Sequence, residues 1–238
     1  MAIEYHGYQK AISELQALYD NDQLNLAPGF QRDSIWTKSE RASLIDSMIR
    51  NYPLPSIFLY RRVQKDGNVV YDVIDGKQRI ESIFGFIGVI RLKREGRFWA
   101  RIKLPESEAS ELVNWTRLNK IRQQYRIMDY RVQTIEVDGT WEEIVDLFVR
   151  INSTGKPLKR QEVRNAKFLK TEFLRGAKRV ANRFRSYFQA AGVVSEQQAE
   201  RMKHIELASE LIYSAHAGDV ANKKRVLDDV MDIRRTRS

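Results

Sequence analysis

Asp75, Gly76, Lys77, Gln78 and Arg79 stand together where an apolar run, VVYDVI, stops and apolar residues return at helical spacing as Ile80, Ile83, Phe84 and Ile87. Asp-Gly is a strong turn signal, so a plain turn between a strand and a helix accounts for the junction. The same residues suit an anion. A helix N-terminus presents unpaired N–H groups and a partial positive charge, Gly76 lets backbone approach an oxyanion closely, and Arg79 and Lys77 supply donors to phosphate. Asp75 is then the natural partner of Mg²⁺, which takes one or two carboxylates with phosphate oxygens and water. The chemistry this implies is phosphoryl transfer. Gln78 or Gln31 would orient water, while Arg32 and Arg150 would neutralise developing charge. A second chemistry uses the same stretch. Asp75-Gly76-Lys77 fits the D-x-K half of a metal-dependent nuclease core, with Asp66 or Asp72 as the missing carboxylate and Lys77 near the nucleophile.

The elements that must hold these side chains are legible in part. Residues 8 to 20 carry Ile12, Leu15, Leu18 and Tyr19 at helical spacing and predict a short amphipathic helix. Thr37 and Glu40 make a capping-box pattern ahead of Leu44, Ile45, Met48 and Ile49, which predicts a second helix ending before Pro53. Pro53 and Pro55 lead into the β-rich SIFLYRR, and Asp66-Gly67 separates it from VVYDVI, as in a β-hairpin. YRVQTIEV at 130 to 137 reads as a strand, and Thr140 with Glu143 caps a helix through Ile151. A loop, INSTGKPLKRQEVRNA, precedes what reads as one long helix with Ala166, Leu169, Phe173, Ala177, Val180, Phe184 and Phe188 on a single stripe. Residues 195 to 233 read as two further helices, the first capped by Ser195.

Composition bounds the partners. The chain has 238 residues, a formal charge of +10 and a pI near 9.7, which favours a polyanionic partner. Between Lys156 and Arg185 stand eleven Lys or Arg against two acids, an excess of nine positive charges. That surface is either a solvated helix face or one that meets DNA, in which case Arg160, Arg164, Lys167, Arg175 and Lys178 are the contact candidates. A second basic run, RLKREGRFWARIK at 91 to 103, interleaves Phe98 and Trp99 with cations and reads as a hairpin or a single-strand platform. There are no cysteines, which excludes disulfides, Cys-ligated zinc and thiol catalysis. His6, His204 and His216 lack metal-ligand spacing. The longest apolar run, IFGFIGVI, is far below the roughly 20 residues that span a bilayer, and no signal-peptide core opens the chain, so a soluble cytoplasmic protein is expected. The chain stops at RRTRS without a closing element, as a fragment or a short form of something longer would.

Four stretches in order, GFQRDSIW at 29 to 36, LIDSMIRNYPLPSIFL at 44 to 59, VIDGKQRI at 73 to 80 and FVRINSTGKPLKRQEVRNA at 148 to 166, resemble the N-terminal domain of GmrSD-type modification-dependent restriction systems, the DGQQR domain. The resemblance implies an α+β fold of the ParB/sulfiredoxin-like kind, a small mixed sheet with flanking helices, over residues 1–155, followed by a basic all-helical region over 156–238. It implies binding, and often hydrolysis, of a nucleoside triphosphate with Mg²⁺ as part of anti-phage defence. Asp75, Gly76, Gln78 and Arg79 match the signature, while Lys77 departs from the usual Gln. Gln31 and Arg32 match an upstream polar pair, and Arg150, Asn152 and Gly155 match a third motif, although Asn152 also suits a helix C-terminus. DNA cleavage would belong to a separate or missing nuclease module. A DNA-binding module that binds nucleotide without turnover is the competing reading, and an oligomer is compatible with either.

Overall fold

The computed structural model describes residues 3–29, 36–92, 98–104, 107–152, 158–218, 226–229 and 231. Strand β1 (Glu4–Ala11) comes first, where helical spacing predicts a helix from residue 8. The reason for the difference is burial. The side chains from Glu4 to Gln9 are all exposed, so no inward and outward alternation marks the strand, and helix α1 (Ile12–Asp20) starts only where Ile12 and Leu15 enter the core. Strand β2 (Leu24–Asn25) follows, then α2 (Lys38–Ile49), whose capping box is formed as expected: Thr37 accepts from the Glu40 N–H and the Glu40 side chain accepts from the Thr37 N–H.

β3 (Ile57–Val63) and β4 (Val69–Asp75) make the anticipated antiparallel hairpin. Its turn is closed by the Asn68 N–H donating to the Asp66 carboxylate and by Gly67 at φ 85°. Helix α3 (Lys77–Ile87) leaves β4 after one residue, Gly76, and ends at Gly88 in the left-handed conformation that commonly closes a helix. It buries Ile80, Ile83, Phe84, Phe86 and Ile87, each worth about 2 kcal/mol of transfer free energy. A small two-stranded ladder, β5 (Ala100–Ile102) with β6 (Glu111–Val113), is followed by α4 (Trp115–Lys120), α5 (Tyr125–Met128) and β7 (Arg131–Asp138).

The main sheet is mixed and five-stranded in the order β1-β7-β3-β4-β2, with β1 antiparallel to β7, β7 parallel to β3, β3 antiparallel to β4 and β4 parallel to β2. This is the expected α+β architecture. The chain forms two compact units, residues 1–28 with 36–144, and residues 29–35 with 145–238. The division therefore falls inside α6 (Trp141–Ile151), where the sequence suggests one after residue 155, and a short piece from the start of the chain belongs to the second unit.

The second unit is helical, with its own core around Phe168, Phe173, Leu174, Ala181, Met202 and Ile205. The long helix expected after residue 156 is three: α7 (Arg160–Lys167), α8 (Glu172–Arg183) and α9 (Arg185–Ala190). Thr171 makes the first break. Its hydroxyl donates to the Phe168 carbonyl and accepts from the Leu174 N–H, which closes one helix and caps the next. α10 (Glu196–Glu200), capped by Ser195, and α11 (Lys203–Ala217) follow, and residues 226–229 are helical. Among the described residues no helix is long and apolar enough to cross a membrane.

Candidate functional site

The corner between β4 and α3 is built around a glycine with no substitute. Gly76 sits at φ 95°, where L side chains are strained, and a Cβ there would lie 2.9 Å from Ile57 Cγ1 and 3.2 Å from Arg79 Nη2. The absent side chain lets the start of α3 press against β3 and leaves room for the Arg79 guanidinium. Gly76 offers α3 no side-chain cap.

Asp75 and Arg79, four residues apart, face each other across that turn. Arg79 Nη2 donates to Asp75 Oδ2 at 2.6 Å and to the Ser56 carbonyl at 3.0 Å, so one guanidinium ties the end of β4, the first turn of α3 and the residue preceding β3. The Arg79 side chain is 13% exposed, and its Nε is buried with no acceptor among the described residues. A buried donor in that condition is costly, by roughly 1–3 kcal/mol, unless something arrives to accept from it.

Lys77 points along the helix to Glu81, with Nζ 3.8 Å from a carboxylate oxygen and both side chains largely buried. Lys77 is therefore matched one turn later by an acid. Gln78 Oε1 accepts from the Trp36 N–H at 2.8 Å, which anchors the chain where it enters α2. Gln31 and Arg32 lie outside the described residues.

The first unit thus brings Asp75, Gly76, Lys77, Gln78 and Arg79 into one corner. The third-motif residues belong to the other unit. There Arg150 is 76% exposed and its Nε bonds Asp146 at 2.7 Å, while the Asn152 side chain donates to the Phe148 carbonyl at 2.8 Å in the manner of a helix C-terminus. Gly155 lies outside the described residues.

Of the DNA-contact candidates, Arg160, Lys167 and Arg175 are exposed, with Lys167 resting over the Phe168 ring. Arg164 is a correction. Its side chain is 1% exposed and is held by Asp228, Gln161 and Glu206, so it serves the interior of the helical unit and cannot meet DNA. Lys178 is half-buried and donates to the Gly29 carbonyl at 2.8 Å, and burial pulls its pKa down to about 8.

The D-x-K nuclease arrangement is not assembled. Asp72 is buried and its carboxylate is occupied by Arg62 and Asn25. Asp66 serves the hairpin turn, beyond the other end of β4 from Asp75, and Lys77 turns toward Glu81. No group of three His, Asp or Glu residues that could hold a metal occurs among the described residues. Among the described residues of the corner, Asp75 is the carboxylate that a Mg²⁺ ion carried in on phosphates would meet.

Sequence reasoning overlooked three partners: the Ser56 carbonyl, Glu81 and the Trp36 N–H. The i,i+4 spacing of Lys77 and Glu81 was a usable signal. The Ser56 and Trp36 interactions depend on folding and carry none.

A mixed sheet whose fourth strand turns through Asp-Gly directly into a helix defines an α+β domain. The family described as the GmrSD restriction endonuclease, N-terminal domain, matches residues 15–169, and the chain belongs to that family. It is accordingly a domain of the restriction-system type. A solved structure, the C2221 form of a Pnob8-like ParB-N domain, is similar at 13% identity and a TM-score of 0.33 over 87% of this chain, which spans 63% of that chain's length. No curated protein matches.

Proposed function

We propose that the Asp75–Arg79 corner binds the phosphates of a nucleoside triphosphate and hydrolyses it, within a modification-dependent restriction system that defends against phage. Arg79 carries this reading. A buried guanidinium beside an uncapped helix start, with a buried Nε that finds no acceptor among the described residues, is arranged to receive an oxyanion. The backbone at Gly76 allows close approach. With Oδ2 on Arg79, Asp75 has Oδ1 left to meet Mg²⁺ borne by the phosphates. In hydrolysis, water attacks the terminal phosphorus and the bond to the bridging oxygen breaks, releasing phosphate. Arg79 neutralises charge on the transferring group. Gln78 acts through Trp36, as a positioning residue. Cleavage of DNA is assigned to a partner chain or module, and the exposed cations Arg160, Lys167 and Arg175 to contact with the DNA backbone.

The test is calorimetric binding of the four triphosphates, followed by phosphate release with Mg²⁺, with and without DNA. Arg79→Ala is expected to weaken binding at least about tenfold, the scale of one charge-assisted contact. Asp75→Asn is expected to lose the Mg²⁺-dependent turnover while retaining most of the binding. Triphosphate binding that is indifferent to Arg79→Ala sinks the proposal. Binding without turnover in the wild type leaves a nucleotide-sensing module in place of an NTPase.

A further inference from the structure

The helical unit contains a cleft of about 670 Å³ between the start of α7, α10 and the start of α11; of the DNA-contact candidates only Arg160 lines it, and none of the residues of the Gly76 corner does. Lys159, Arg160, Arg201 and Lys203 line it, brought together from two distant parts of the chain. Its one lining carboxylate, Glu206, is 4% exposed and already shared, bonded by Lys203 and 3.7 Å from Arg164 Nη1. Lys159, Arg160 and Arg201 have no ion pair among the described residues, which leaves an uncompensated charge of about +3 facing one concavity.

Two further features border the cleft. Gln161, 4% exposed and lining the cleft, accepts from Arg164 through Oε1, while its Nε2 has no acceptor among the described residues. α11 is fifteen residues long and begins here without a side-chain cap, from Met202 held at φ 62°. A non-glycine residue in that conformation is uncommon and costs about 1 kcal/mol or more. Lys203 and Glu206, in the first turn of α11, place the positive end of a long helix on the cleft wall.

We infer that this cleft is a second anion site, independent of the corner at Gly76, that takes a terminal phosphate. Charge decides the class. A phosphomonoester carries close to two negative charges near neutral pH, whereas each phosphodiester of a strand carries one. Three uncompensated cations, an amide lacking an acceptor and a helix N-terminus match the dianion. The volume suits a nucleotide-sized group and excludes a duplex. Such a phosphate is borne by a free mononucleotide or by the 5′ end of a cut DNA strand.

The experiment uses the full chain and single-stranded oligonucleotides of one sequence, labelled at the 3′ end and carrying either a 5′-phosphate or a 5′-hydroxyl. Fluorescence anisotropy should show about a tenfold preference for the phosphorylated strand. Arg160→Gln with Arg201→Gln should erase that preference at an unchanged melting temperature, and Arg79→Ala should leave it intact, which separates this site from the proposed nucleotide corner. Displacement of the strand by AMP would mark the site as open to free mononucleotides; preference without displacement would mark it as a reader of strand ends. Equal binding of the two strands together with no binding of AMP overturns the inference, as does a preference that survives the double substitution.

Discussion

Gly76 and Gly67 both adopt positive φ at turns next to β4, yet they are not equivalent. At Gly67 a Cβ would meet nothing within 4 Å, so Gly67→Ala costs only the backbone strain, about 1–2 kcal/mol. At Gly76 the same strain is joined by close approach to Ile57 at 2.9 Å and to Arg79 at 3.2 Å. Gly76→Ala should therefore destabilise by roughly 2–4 kcal/mol, and the excess over Gly67→Ala, read from urea denaturation midpoints at constant m-value, isolates the steric term. Equal destabilisation at the two positions would show that the corner relaxes and that the close approach assigned to Gly76 is not enforced. At the neighbouring Lys77 the ammonium is partnered by Glu81, so exchange to Gln would remove that ion pair.

At the scale of elements, the buried Arg164 of α7 is a strut for α11 and the 226–229 turn. Arg164→Met should cost roughly 3 kcal/mol, the order expected when one partner of a buried charge network is removed, whereas Arg160→Gln on the exposed side of the same helix should stay within about 0.5 kcal/mol. Comparable destabilisation by the two would place Arg164 at the surface. The contrast explains what was legible in the sequence. Thr37 with Glu40, Thr140 with Glu143, and Ser195 announced helix starts because capping is local and its residues are three apart. The β3–β4 hairpin and the corner were legible for the same reason, as short β-rich apolar runs closed by Asp-Gly. β1 was not, because its exposed side chains carry no alternation, and the pairing of Glu4 to Ala11 with β7 spans more than a hundred residues. The break at Thr171 was hidden by an apolar stripe that keeps helical spacing across it, and the Arg164–Asp228 bond joins residues sixty-four apart.

For the whole molecule, the formal charge of +10 is not a uniform field, and burial decides which part of it a polyanion meets. Arg164 is withdrawn into the helical unit, Lys178 is half-buried with a depressed pKa, and Arg150 is bonded to Asp146 at 2.7 Å, while Lys167 and Arg175 stand exposed on α7 and α8, Arg175 with only a long 3.7 Å pairing to Glu172. On the proposed reading these two cations, together with Arg160, neutralise DNA phosphates, and each neutralised phosphate releases condensed counterions. The slope of log K against log salt should then fall by about 0.9 for each such cation replaced by a neutral side chain. Lys167→Gln with Arg175→Gln should flatten it by about two, whereas Arg164→Met, measured where the protein remains folded, should leave it unchanged. Anisotropy titrations of a labelled duplex between about 50 and 200 mM salt supply both numbers. A slope that is insensitive to the double substitution removes these residues from the DNA surface. A slope that falls with Arg164→Met would mean that the charge network around Arg164, rather than the exposed cations, governs how the helical unit meets DNA.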